Sequence, residues 1–209
     1  MGRPVYSRPR TMDWIEPTAA VFGLLAVWLN VRRHIACWPT GLVQVSLYLW
    51  VFYQAKLYSD FLLHMVYVVL QLWGWYHWLH GGEDHGELKV SRQGREELIG
   101  WIAVSMVGTV LWGWGMASWT DAALPYGDAF TTVGSLVAMV AMARKQLENW
   151  FFWIAVDVVA IGIYAVKELY YTAGLYAVFL GLCGLGIVEW RKALADDGES
   201  TGQPTPATA

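Results

Sequence analysis

Charge is scarce in this chain: Asp, Glu, Lys and Arg make up only 15% of 209 residues, against 56% hydrophobic. So few charges cannot cover a soluble domain of that size, and the chain reads as a polytopic membrane protein. Cysteine is nearly absent. Cys37 and Cys183 stand at the edge of, or inside, apolar segments, where a thiol behaves as a small hydrophobe, and neither is given a redox role. A basic patch with interleaved aromatics is missing, and the formal charge is −3, so nucleic acid is not an expected partner. The chain also lacks a Gly-x-x-x-x-Gly-Lys-Ser/Thr loop for ATP, a His-Glu-x-x-His helix and a Gly-x-Ser-x-Gly elbow. No nucleophile lies at helical spacing from a partner base, so neither an enzyme nor a cofactor is expected. Behind the arginines of Met1 to Arg10, the first apolar stretch is too long for a signal sequence and has no small-residue cleavage site, so it should be retained as a span.

Apolar length is abundant, and so is tryptophan, with 14 residues, many of which suit a membrane–water interface. A hydrocarbon core needs roughly twenty residues of helix. Seven segments approach that length: Trp14 to Val31, Trp38 to Tyr53, Asp60 to His80, Leu98 to Trp119, Ala129 to Ala143, Trp150 to Val166 and Tyr170 to Trp190. Pro39 falls in the first turn of the second, where proline is tolerated, and the turn-rich run Asp121 to Asp128 precedes the fifth. Glu16 is near enough to the end of the first span to reach the interface. Composition sets the tail beyond Lys192 apart as disordered.

A single offset of 112 residues relates the first three spans to the last three. It matches Arg32 with Arg144, Arg33 with Lys145, Trp38 with Trp150, Leu57 with Leu169, Tyr58 with Tyr170, Gly74 with Gly186 and Trp78 with Trp190, without a gap. Three is odd, so the fourth span is needed to bring both halves into the same direction. The expected organisation is an N-terminal tail (1–13), a first three-helix repeat (14–80), a polar loop and linker helix (81–128), a second three-helix repeat (129–190) and a disordered tail (191–209). Parallel repeats of this kind hold a substrate between the halves near the bilayer midplane. Lys and Arg number nine on the side of the C-terminus and five on the other, which directs the C-terminus to the cytoplasm.

Helical periodicity then gathers the polar residues. Counted from Asn149 at about 100° per residue, Trp153, Tyr164, Asp157 and Trp150 fall near 40°, 60°, 80° and 100°, with small Ala160 near 20°. A second face, counted from Gln71, holds His64, Tyr67, Trp75 and Trp78 within about 40°. Indole faces stack on flat rings while amides and a carboxylate take up hydroxyls or positive charge. The equivalent stripe of the seventh span, Tyr176, Phe179, Cys183 and Trp190, is more apolar, an asymmetry that suits an asymmetric organic substrate. The blander reading is that Gln71 and Asn149 tie helices together, at about 0.6 kcal/mol per bond. Asp157 costs about 3 kcal/mol or more inside a membrane unless it faces a cavity or a partner. Gln44 and Tyr48, one turn apart on the second span, are its candidate partners and candidate site residues themselves; proton coupling through Asp157 is a further reading. Glu148, opening the sixth span, suits the positive end of a helix. His77, His80 and His85 with Glu83 and Asp84 have only loose metal spacing, and no metal is expected.

Glu148-Asn149-Trp150 with Trp153, Gly74-Trp75-Tyr76 with Trp78, and Lys167-Glu-Leu-Tyr170 resemble the PnuC vitamin transporters over most of Trp14 to Trp190. The resemblance implies an all-α integral membrane protein of seven transmembrane helices in a SWEET-like three-plus-one-plus-three arrangement, and a homotrimer. It further implies uptake of nicotinamide riboside across the inner membrane by facilitated diffusion, with trapping by a cytoplasmic kinase for NAD biosynthesis. Thiamine or another vitamin is the alternative cargo. By the same resemblance Asn149, Trp150 and Trp153, with Asp157, lie in the substrate site and Gln71 and Trp75 opposite them.

Overall fold

The computed structural model describes residues 12–54, 56 and 58–200. Seven long helices account for most of them: α1 (Met12–Val31), α2 (Cys37–Gln54), α3 (Tyr58–His80), α4 (Arg95–Trp119), α5 (Pro125–Ala143), α6 (Asn149–Val166) and α7 (Tyr170–Ser200). Three ends differ from expectation. α4 starts at Arg95 rather than Leu98, because Glu96 and Glu97 favour the positive end of a helix. α5 starts at Pro125, which is preorganised for the first helical position, so the expected turn closes four residues early. α7 continues to Ser200 instead of giving way to a disordered tail after Trp190, since Lys192-Ala-Leu-Ala are strong helix formers. The expectations for 1–11, 57 and 201–209, and for the Glu16 side chain, fall outside the described residues.

α4, α5, α6 and the Tyr170–Asp196 part of α7 are long and apolar enough to cross a membrane, and Pro17–Val31 of α1 is a shorter apolar helix. α2 and α3 carry more polar side chains. Two of these pack inward on glycines: Gln44 lies against Gly23 of α1, and Gln71 against Gly41 of α2.

Packing makes a ring of six helices. α1 packs on α2, α2 on α3, α3 on α5, α5 on α6, α6 on α7, and α7 back on α1, while α4 packs on α5 and buries little of itself. The offset of 112 residues recurs in local structure. α2 and α6 have equivalent bounds. Arg33 and Lys145 take positive φ values of 57° and 54°, and Lys56 and Glu168 of 57° and 58°, so equivalent turns are closed by equivalent left-handed residues. The Trp38 indole packs on Gly74 and that of Trp150 on Gly186, where an added Cβ would come within 2.1 and 2.4 Å of the ring. Trp78 Nε1 donates to the Met142 carbonyl and Trp190 Nε1 to that of Asn30, both at 3.0 Å, and these partners too are 112 residues apart.

These four indoles close one end of the ring. Trp38 meets Trp78 edge to face at 5.4 Å, Trp150 meets Trp190 at 5.5 Å, and Trp78 meets Trp190 across the ring at 6.0 Å. All four are at most 1% exposed. A strap from the α3–α4 loop lies over this end. Ser91 exchanges backbone hydrogen bonds with Lys145 and Leu147, and the Gln93 amide N–H donates to Glu148. Lys145 reaches back to the Leu88 carbonyl at 2.7 Å and sits 4.5 Å above the Trp78 ring.

Candidate functional site

Two aromatic groups at equivalent positions occupy the opposite half of the ring's depth. In α2 and α3, His64 is surrounded by Tyr48, Phe52 and Tyr67 at 5.8, 4.7 and 5.5 Å. In α6 and α7, Tyr176 stands 5.2 Å from Tyr164 and 5.9 Å from Phe179. His64–Tyr67 and Tyr176–Phe179 share the same edge-to-face geometry, at 87° and 88°. Unlike the tryptophan end, these residues are only partly buried. Tyr67 and Ser135 share a hydrogen bond of 2.5 Å that joins α3 to α5.

From the middle of the ring down to the tryptophan end, where Asn149 opens α6 beside Trp150, lie most of the polar residues singled out from the sequence. Gln71 is 6% exposed and its Oε1 has no partner. Asn149 is fully buried; its Nδ2 donates to the Gln146 carbonyl at 2.6 Å while its Oδ1 has no partner. A buried amide oxygen without a donor costs about 1–3 kcal/mol, a cost that a hydroxyl-bearing ligand or a water would remove. Trp75 and Trp153 are partly buried and pack against the core.

Two residues have surroundings that periodicity did not foresee. Trp150 belongs to the sealed tryptophan end, with an unpartnered Nε1, because the first turn of α6 lies at the depth of Gly186 and Trp190. Asp157, 3% exposed, accepts from Cys183 Sγ at 3.5 Å rather than from Gln44 or Tyr48. The reason is the order of the ring: α6 packs between α5 and α7, whereas α2 packs between α1 and α3. Cys183 was missed as a polar partner, although the repeat holds the clue. It occupies the position of Gln71 one offset later.

Outside the ring lumen, the histidines have ordinary aromatic neighbours. His77 stacks on Trp73 and His80 on Tyr76. Among the described residues, no group of three or more His, Cys, Asp or Glu is arranged to hold a metal ion. Glu148 precedes α6, as expected of an acid at a helix start, and is buried under the strap by Arg92 and Gln93. Burial holds the Lys145 ammonium below its ordinary range, with the Glu87 carboxylate opposing that shift. An apolar crevice of about 410 Å³ opens between α4, α5 and α6, lined by Leu98, Ile102, Phe130, Phe152 and Val156 among others, away from the candidate residues.

Residues 13–192 match a family model described as nicotinamide mononucleotide transporter. The chain is 25% identical to the nicotinamide riboside transporter PnuC of Escherichia coli (strain K12), over 93% of this chain and 92% of the relative. To the nicotinamide riboside transporter PnuC of Neisseria mucosa it is 31% identical, over 86% and 73%. It is also 27% identical to the riboflavin/roseoflavin transporter RibM of Streptomyces davaonensis, over 93% and 92%. A crystal structure of the vitamin B3 transporter PnuC superposes with a TM-score of 0.70 at 28% identity, covering 90% of this chain and 84% of that one.

Proposed function

Because the chain belongs to the nicotinamide mononucleotide transporter family, a family of multi-pass membrane transporters and not of enzymes, we propose that it carries nicotinamide riboside by facilitated diffusion. The observation that carries this reading is that, of four buried amide oxygens without a partner among the described residues, two, Gln71 Oε1 and Asn149 Oδ1, lie one helical turn from the indoles Trp75 and Trp153. Ribose hydroxyls donate to such oxygens, and a pyridinium ring is attracted to indole faces by cation–π contact. In this reading the substrate site comprises Gln71, Trp75 and Tyr67 of α3, Gln44 and Tyr48 of α2, and Asn149, Trp150, Trp153 and Asp157 of α6. Trp150 sits at its floor, where the indoles seal one end while the aromatic groups admit the vitamin from the other.

All seven helices span the bilayer as two parallel repeats joined by α4, a SWEET-like three-plus-one-plus-three arrangement supported by the equivalent turns and glycine–indole contacts. Rocking of one repeat against the other exposes the site alternately to each side. The surplus of Lys and Arg directs the strap and the C-terminus to the cytoplasmic face of the inner membrane. Three copies assemble, and a cytoplasmic kinase traps the vitamin by phosphorylation for NAD biosynthesis, which agrees with the lack of an ATP-binding loop.

Titration of the purified protein in detergent with nicotinamide riboside and, separately, thiamine, followed by heat and tryptophan quenching, tests the reading. Binding of the riboside alone, lost in Asn149→Ala and Trp153→Ala, is the expected result. Binding of thiamine alone would change the cargo and keep the mechanism; binding of neither vitamin would leave the cargo assignment without support. Buried Asp157 favours a second reading, a proton-coupled carrier. Uptake into kinase-free vesicles that collapses with an uncoupler would establish it.

A further inference from the structure

Asp157 stands apart in the charge distribution of the ring. Of the six ring helices, only α7 contains Lys or Arg, and there not before Arg191 at the tryptophan end. Other acids of these helices lie toward an end, as Asp60, Asp128 and Glu189 do, whereas Asp157 is in the middle of α6. It is 3% exposed and makes no ion pair among the described residues; its partner is a thiol, a weak donor, at 3.5 Å. A buried carboxylate held by nothing stronger either binds a proton or takes a counter-charge from elsewhere, and a cationic cargo supplies the second. Aromatic faces that would receive a positive ring are at hand: Tyr176, on the helix that carries Cys183, is in contact with Tyr164 and Phe179. Trp153 lies one helical turn before Asp157 on the same face of α6. The equivalent position in the first three helices is Val45, buried and apolar, so the charge is confined to one side of the ring.

We propose that Asp157 is the charge selector of the site: its counter-ion is the positively charged heteroaromatic ring of the bound vitamin, so the carrier takes N-substituted pyridinium or thiazolium compounds and refuses neutral flavins. The proposal rests on the carrier reading and narrows its substrate class. It also separates this chain's cargo from that named for RibM, whose flavin carries no positive charge.

Calorimetric titration of the full chain in detergent with nicotinamide riboside, thiamine and riboflavin tests it without any variant. The unaltered protein is expected to bind at least one of the two cations about 30-fold tighter than riboflavin. Asp157→Asn, which keeps the shape and removes the charge, should weaken that cation by about 30-fold and leave riboflavin unchanged. Gly181→Ala, on the helix that carries the thiol but with nothing within 4 Å of its added Cβ, should bind the cation within about threefold of the unaltered protein. Melting and gel filtration of each variant show whether it is folded. Equal affinity for riboflavin and the cations in the unaltered chain, or unchanged cation binding in folded Asp157→Asn, would overturn the selector and leave the carrier standing. Binding of none of the three compounds would remove the cargo assigned under the proposed function and the selector with it.

Discussion

α1–α3 and α5–α7 agree where the chain turns and packs, and disagree where a ligand would sit. The agreement covers left-handed Arg33 and Lys145, the indoles of Trp38 and Trp150 on Gly74 and Gly186, and the crossed bonds of Trp78 and Trp190. The disagreement is concentrated at a few positions: Gly41 against Trp153, Val45 against Asp157, His64 against Tyr176, Gln71 against Cys183 and Cys37 against Asn149. Volume is exchanged within that set. In α2 and α3 a glycine leaves room for the Gln71 amide; one offset later a large indole accompanies a small thiol. Positions that must close a turn or admit an indole are held by sterics, which act alike in both segments. Positions around an asymmetric ligand have no reason to match.

The largest expected effect tests the agreement. A methyl group added at Gly74 or Gly186 would overlap an indole that has nowhere to retreat, so Gly74→Ala and Gly186→Ala should each destabilise the protein by about 3 kcal/mol, to a similar extent. Gly181→Ala is the contrast, since its added Cβ meets nothing within 4 Å, and there the better helix propensity of alanine should leave stability equal or slightly higher. Thermal unfolding in detergent measures all three. Tolerance at only one of the indole contacts would break the equivalence of the two segments.

Removing an indole N–H is a smaller perturbation. Trp78→Phe and Trp190→Phe each remove one of the two donors of a buried carbonyl, since those of Met142 and Asn30 also accept from the Lys145 and Arg33 amides at 2.9 Å, and each should cost about 1 kcal/mol. Loss of stability from Trp190→Phe alone would mean that the strap over Trp78 compensates on its side.

The disagreement is sharpened by copying one segment into the other. Gln71→Cys reproduces the residue found one offset later and should weaken vitamin binding by about tenfold, the value of one or two hydrogen bonds, while moving the melting temperature little. Unchanged affinity, read by calorimetry, would remove Gln71 from the site.

Much of the scaffold was legible in the sequence, because charge and Trp positions repeat without a gap and helices of this apolarity end where Arg, Lys or Pro intervene. The site was legible only in part. Periodicity ranks the residues of one helix by direction but does not reveal which helix stands opposite, so Asp157 was matched with α2 when its neighbour is Cys183 of α7. Trp150 shows a similar limit, since an indole suits a sealed end as well as a binding face, and only its depth beside Gly186 distinguishes them. The strap was unreadable for a different reason. It is held largely by backbone bonds of Ser91 to Lys145 and Leu147, which side-chain patterns do not encode.

That strap gives the smallest expected effect and the clearest difference between the two turns. Arg33 and Lys145 occupy equivalent left-handed positions, yet Lys145 is the one enclosed, with its side chain 5% exposed beneath Leu88 and above Trp78. Burial lowers its proton affinity below that of the unfolded chain, whose ordinary value is 10.5, while Glu87 partly restores it. Between the folded value and 10.5 the unfolded state therefore binds more protons, so this residue's contribution to stability rises with pH and levels off above 10.5. The sign is opposite to that of a lysine stabilised mainly by an ion pair. Melting temperatures of the unaltered protein and Lys145→Met, compared from pH 8 to 10.5, should diverge in favour of the unaltered protein as pH rises. The same comparison for Arg33→Met should show no such trend, because a guanidinium stays charged throughout. A Lys145 difference that shrinks on the alkaline side would mean that Glu87 outweighs burial, and that the strap holds this turn through its ion pair.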